Sequence, residues 1–382
     1  MRHVAIPTLF YSTLPAKTHE AETVASILPR TDDLMRYSSF TASKNKNKGQ
    51  DKSVFYQGRD IESDLVDLTG QDFCVEELSA FDIKRFHNLD AYPHSFLEDK
   101  DVLGWAAAMM TESPLAYALL QHFEEENWTI SMADLGTGSY HLDIENHCLE
   151  IDNFSVSQDA LGRSPLFRNA LLINMARALR DIWHESKNKG QDKDYIEQYK
   201  PEDALMLERI RAADCDSLAV MIAWEWRSAG YKEVWRHVLS LDQSDMAQVL
   251  LNIIDYNPQS VYNGVAMAHL FRQWFTDRLR VRAVDHDSLE TMDEILDHDE
   301  DLGSQSFSTR EVSALSTLPD GSSYLKDLEE TILRDPFFNS LDDPINEAHL
   351  TQIIYDSKVI MAEGVPFRDE ALAQLIFPTT AE

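Results

Sequence analysis

Residues 171–185, LLINMARALRDIWHE, decide how the chain is to be read. Asn174, Arg177, Asp181 and His184 follow a three, four, three spacing, and at about 100° per residue they project within a sector of roughly 80°. Leu171, Leu172, Met175, Ala178, Leu179 and Ile182 take the opposite side. The stretch therefore predicts an amphipathic helix whose polar face places a guanidinium, a carboxylate and an imidazole side by side. Read as a plain solvated face, it would gain only about a few tenths of a kcal/mol from the Arg177/Asp181 pair at i, i+4.

Working outward, Ser164 and Pro165 supply an N-cap and a first helical residue, and the polar run SKNKGQDK ends the helix. A second long helix opens at Pro201 with Glu202 and Asp203 in its first turn and stops at Gly230. Its run LAVMIAWEW from Leu218 is apolar on nearly every face, which predicts a central position in the core and a partner for Glu225. Arg211, Asp214, Leu218, Met221 and Glu225 share one stripe, so polar groups here are expected to meet the polar face of the preceding helix.

Upstream, Ser113 and Pro114 open a helix over 114–126, and three strand-like runs follow: Trp128/Ile130/Met132, Tyr140/Leu142/Ile144 and Leu149/Ile151. Downstream, 263–280 predicts an amphipathic helix and Asp287 with Glu290 a capped start for another. The expected fold is α+β, predominantly α-helical, with a small antiparallel sheet beside two long helices. The expected organisation is a loosely ordered segment 1–53, short helical segments over 54–113 packing on the core, a main domain over 114–300, and an acidic helical appendage over 301–382.

The 382 residues carry 66 Asp and Glu against 34 Lys and Arg, a formal net charge of −32 and a sequence pI near 4.6. Long-range attraction to nucleic-acid phosphates or an anionic membrane is excluded as a binding principle, whereas a cationic partner is compatible. Cys74, Cys148 and Cys215 lie far apart and form neither a disulfide framework nor a CxxC knuckle. With no apolar run of membrane-spanning length and Pro7 interrupting the first apolar stretch, the expectation is a cytoplasmic protein. GTG at 136–138 completes no nucleotide-binding pattern, there is no GxSxG, and none of the thirteen histidines begins HExxH.

A helix, three short strands, a helix and a second long helix carrying acids is the element order of minimal, zincin-like zinc peptidases. The segments RALRDIWHE (177–185) and RAADCDS (211–217) resemble an uncharacterised bacterial family labelled "putative metallopeptidase", over about 114–300, roughly half the chain. The resemblance implies peptide hydrolysis at zinc held by two imidazoles four residues apart, with a glutamate activating water. In the corresponding helix register Asn174, Met175 and Ala178 stand where His, Glu and His are required. Methionine is no general base and alanine has no ligand atom. The reading is thus a metallopeptidase-like protein without standard zinc-peptidase catalysis.

Two arrangements of the remaining polar residues are open. In one, Asp181 and His184 join Asp214 or Glu208 in a nonstandard site for zinc or another divalent metal. In the other, Arg177 and Arg211 neutralise Asp181 and Asp214, with His184 hydrogen-bonded beside them. Candidates for catalysis are Arg177, Asp181, His184, Glu185, Arg211 and Asp214. The alternative function is noncatalytic peptide or protein binding, or regulation, in the former cleft. A peptide or protein is the expected partner, not nucleic acid or membrane, and the sequence leaves the oligomeric state open.

Overall fold

The computed structural model describes Phe73–Cys74 and residues 96–188, 195–297, 302–357, 360–362, 365–367 and 376. The chain divides into Met1–Gln57 and Gly58–Glu382, and every described element belongs to the second unit. The segment 1–53 and most of 54–95 lie outside the described residues.

Helix α1 (Asp99–Met110) begins with a reciprocal capping box between Glu98 and Asp101, and its face from Val102 to Met110 is buried. Helix α2 (Pro114–Glu125) starts where expected, with the Ser113 hydroxyl accepting from the Ala116 amide. A sheet comes next, with strands β2 (Thr129–Ala133), β3 (Tyr140–Asp143) and β4 (Cys148–Asp152), and β1 (Phe73–Cys74) joining it from upstream in the order β1-β2-β4-β3.

The sheet is mixed, a correction to the antiparallel arrangement expected. β3 pairs antiparallel with β4 and β1 antiparallel with β2, but β2 pairs parallel with β4. Adjacency in sequence favours a simple meander. Here the linker after β2 carries Gly136 and Gly138 in left-handed conformations, at φ 65° and 70°. It leads the chain past the place beside β2, so β4 returns to fill it. β4 holds Leu149 and Ile151 at 0% exposure. A central position pairs both its edges, and β3 is left as an edge strand.

Helices α3 (Gln158–Arg163) and α4 (Pro165–Glu185) come next, then α5 (Tyr195–Gln198) and the long α6 (Pro201–Ala229). Gly230 ends α6 at φ 114°, a conformation that favours glycine. α4 and α6 pack against each other and contribute Leu171, Leu172, Ala178, Leu207, Ile210 and Leu218 to one core. Glu225 finds its partners at the start of α2: its Oε2 accepts from the Ser113 hydroxyl at 2.5 Å and the Leu115 amide at 3.1 Å.

Helices α7 (Lys232–Val238), α8 (Ser244–Tyr256), α9 (Val265–Trp274) and α10 (Arg278–Asp297) complete the surround of α6. The helix expected over 263–280 is split, and Asp287 lies inside α10 instead of opening a helix. The start signal belongs to Asp277, whose carboxylate accepts from the Leu279 amide at 2.9 Å. Helices α11 (Thr309–Leu315), α12 (Glu329–Arg334), α13 (Pro336–Asn339) and α14 (Pro344–Asp356) end the helical part, and a hairpin of β5 (Ile360–Ala362) and β6 (Val365–Phe367) comes after them. Residues beyond 301 enter the core, including Val312, Leu315, Leu325, Phe338 and Ile353. Among the described residues no helix is long and apolar enough to cross a membrane.

Candidate functional site between the edge strand and two helices

The polar faces of α4 and α6 meet in two layers, one sealed and one open. The sealed layer centres on Asp214. Its Oδ2 accepts from Arg180 Nε at 2.5 Å and from His184 Nε2 at 2.8 Å. Its Oδ1 accepts from Arg180 Nη2 at 3.1 Å and from the Tyr324 hydroxyl at 2.5 Å. Arg180 also donates to the carbonyls of Thr317 at 2.9 Å and Leu315 at 2.7 Å. Arg180, His184 and Asp214 are all at 0% exposure.

Burial by itself would raise the Asp214 carboxyl, but the Arg180 guanidinium and His184 outweigh it and hold the group down to about 2. Asp214 is therefore ionised at neutral pH and only accepts, which makes His184 Nε2 the donor in their hydrogen bond. Burial, then the Asp214 charge, pushes the Tyr324 hydroxyl well up.

The open layer centres on Arg211. Its Nη2 donates to Asp181 Oδ1 at 2.6 Å and to Glu185 Oε1 at 2.5 Å, and its Nη1 reaches Glu208 Oε1 at 3.3 Å. The Tyr140 hydroxyl on β3 donates to Asp181 Oδ2 at 3.3 Å, tying the edge strand to α4. Burial works against ionised Asp181, yet Arg211 and His184 hold its carboxyl far below the usual range. Glu208 moves the other way: burial, seconded by the charge on Asp181, exceeds the pull of Arg211 and raises it. Burial, with Asp181 and Asp214 adding to it, pushes the Cys215 thiol well up.

A cavity of about 430 Å³ opens over this layer. Tyr140, His141 and Leu142 of β3 form one wall, and Asp181, Glu185, Glu208, Arg211 and Cys215 form the facing one. Asp181 and Cys215 of that wall and the fully buried His184 each bring a potential ligand atom within 4.8 Å of the others.

The sequence candidates are thus brought together, with two changes of partner. Arg211 neutralises Asp181 as expected. Asp214 is neutralised by Arg180, not by Arg177, which pairs instead with Asp216. The Asp216 carboxylate also takes the Trp274 indole N–H at 2.9 Å. Arg180 falls just outside the sector drawn through Asn174, Arg177, Asp181 and His184, although it stands four residues before His184 and so on the same side. Widening that sector by one residue would have found it. Cys215 reads as a core residue in sequence, and only the cavity reveals one side of it as a wall.

The positions where an HExxH peptidase keeps its zinc do not fit a metal. Asn174 spends its Nδ2 on the Gly138 carbonyl at 2.7 Å, while Met175 at 1% and Ala178 at 0% exposure are packed in the core. No step of zinc-peptidase chemistry is available through them.

Residues 170–325 match the model of a family described as "Putative metallopeptidase family (DUF6782)". The match begins after the sheet and ends one residue past Tyr324, so it holds Arg180, His184, Asp214 and Tyr324 but not the β3 wall. This differs from the span of about 114–300 read from sequence. No curated protein and no solved structure matches the chain.

Proposed function

We propose that the chain binds an extended peptide segment in the cleft between β3 and the α4/α6 pair, on a metallopeptidase-like framework that does not use HExxH catalysis. The observation that carries this reading is the edge position of β3 over the cavity. The Asp152 amide donates to the Ser139 carbonyl at 3.0 Å, and the register aligns Tyr140 with Ile151 and Leu142 with Leu149. Hydrogen-bonded and non-hydrogen-bonded pairs alternate in an antiparallel ladder, so the backbone N–H and C=O groups of Tyr140 and Leu142 are directed away from β4. An extended peptide can add there as a further strand, its alternate side chains entering the cavity. One guanidinium facing three carboxylates favours a segment with a Lys or Arg side chain, in keeping with the acidity of the whole chain.

The test is binding of fluorescently labelled extended peptides, with and without Lys, to the purified full chain. Leu142→Pro removes one outward N–H without removing a bond to β4. It is expected to weaken binding roughly tenfold, the scale of one or two lost main-chain hydrogen bonds. Unchanged affinity in that variant would remove the strand-addition reading. Chelator-sensitive cleavage of an unfolded protein by the purified chain would remove the noncatalytic one.

A further inference from the structure

Three features are arranged around His184 as they are around a histidine that holds a metal. Asp214 takes the Nε2–H at 2.8 Å, and Arg180 and Tyr324 in turn fix Asp214. A carboxylate behind the ring sets its tautomer and orientation and makes the opposite nitrogen the potential ligand atom. That nitrogen, Nδ1, stands 3.7 Å from Asp181 Oδ1, and Asp181, His184 and Cys215 each bring a potential ligand atom within 4.8 Å of the others. The three residues come from two packed helices whose backbones are fixed by the core, and Asp181 and Cys215 line the cavity.

We propose that Asp181, His184 Nδ1 and Cys215 Sγ form a binding site for a borderline-soft divalent cation of the Zn²⁺ class, with a fourth position open to the cavity. A carboxylate, an imidazole and a thiolate are each zinc ligands, and three protein ligands with one open position is the arrangement of an accessible zinc centre. Tetrahedral zinc sets its ligand atoms about 3.3–3.8 Å apart. The Asp181 to His184 separation already lies in that range, and Cys215 Sγ joins the pair through a side-chain rotation. As the sulfur–metal bond forms, the Cys215 S–H bond breaks and its proton passes to solvent.

Charge supports a cation here. Arg211 faces Asp181, Glu185 and Glu208, a formal excess of two negative charges at the cavity floor, while the Arg180/Asp214 and Arg177/Asp216 pairs are neutral within themselves. When the metal takes Asp181, Arg211 keeps Glu185 and Glu208 as partners. The site shares the cleft with the peptide proposal but does not depend on it. It also lies elsewhere on α4 than the Asn174, Met175 and Ala178 positions.

The experiment titrates Co²⁺ into metal-stripped full-length protein, then displaces it with Zn²⁺, with no peptide present. One equivalent of Co²⁺ is expected to produce a near-ultraviolet thiolate-to-cobalt band and tetrahedral visible bands. Cys215→Ser, checked for its fold by circular dichroism, should abolish the thiolate band and weaken Zn²⁺ binding at least about tenfold, while Cys148→Ser should change neither. On the wild-type chain, stoichiometric Zn²⁺ should slow alkylation of Cys215 and not of Cys148, which needs no variant to fold. Absence of a saturable equivalent, a thiolate band that survives Cys215→Ser, or unprotected Cys215 in the presence of Zn²⁺ would overturn the site. Peptide binding measured separately distinguishes failure of the metal site from failure of the cleft.

Discussion

Asp214 shows how one side chain sets the character of its surroundings. It sits at the end of four donor hydrogens from Arg180, His184 and Tyr324, none of which is exposed enough for water to replace it. Removing its charge strands a guanidinium in the core. Asp214→Asn is therefore expected to cost about 3–5 kcal/mol by urea denaturation, and a cost below about 1 kcal/mol would show that the pair is not integral to the fold. The folded carboxyl lies near 2, against ~3.9 in an unfolded chain. Because the folded value is the lower one, the stabilisation is fully present above about pH 4 and is lost as pH falls towards 2. Wild-type stability should drop across that window, with a visibly shallower slope in Asp214→Asn. Glu208 has the opposite sign: its carboxyl is raised, so its ionisation opposes folding above the ordinary carboxylate range. Glu208→Gln should leave stability at neutral pH equal to or above that of the wild type, and a marked loss would contradict that sign.

At the scale of elements, the start of α2 is held by a residue more than a hundred positions away. Glu225 on α6 accepts from Ser113 and from the Leu115 amide, so it serves as a remote N-cap for a helix whose first amides have no partner within it. Glu225→Ala is expected to destabilise by about 1–2 kcal/mol and to speed amide hydrogen exchange in the first turn of α2, with Glu225→Gln milder. Unaltered exchange there would show that the Ser113 cap suffices alone. The same scale explains the sheet. The alternating runs that became β2, β3 and β4 were legible in sequence, whereas the parallel pairing of β2 with β4 was not. A period of two gives each strand its faces but leaves the identity of its neighbour to packing and to the conformation of the linker.

For the whole molecule, the acidic stretch beyond 301 matters because it closes the sealed polar layer. Tyr324 donates to Asp214, and the Leu315 and Thr317 carbonyls accept from Arg180. A chain ending at residue 300 would leave Arg180 short of two acceptors and Asp214 of one donor, and would uncover the parts of α6 that pack against α11 and α14. It is expected to lose its cooperative urea transition and its near-ultraviolet circular dichroism. A sharp transition in that truncated chain would show that the chain up to residue 300 is self-sufficient. The second buried ion pair makes a parallel link: Arg209 on α6 binds Asp285 on α10 through two bonds of 2.5 and 2.8 Å and also donates to the Phe338 carbonyl.

The sequence by itself determined the two long helices, the Ser164 N-cap of α4, and the Pro201 start and glycine stop of α6, because these are set by bonds and dihedrals within a few residues of one another. It also determined that α4 would show Asp181 and His184 on one face and that no HExxH was present. Only the tertiary structure decided which arginine met which acid. Arg177, Arg180 and Arg211 are alike in sequence, and the choice of Asp216, Asp214 and Asp181 depends on the crossing of α4 over α6 and on carbonyls brought in from beyond residue 300. The cavity is likewise a property of the assembly. It exists because β4 took the central place in the sheet and left β3 at the edge, facing helices that no local pattern ties to it.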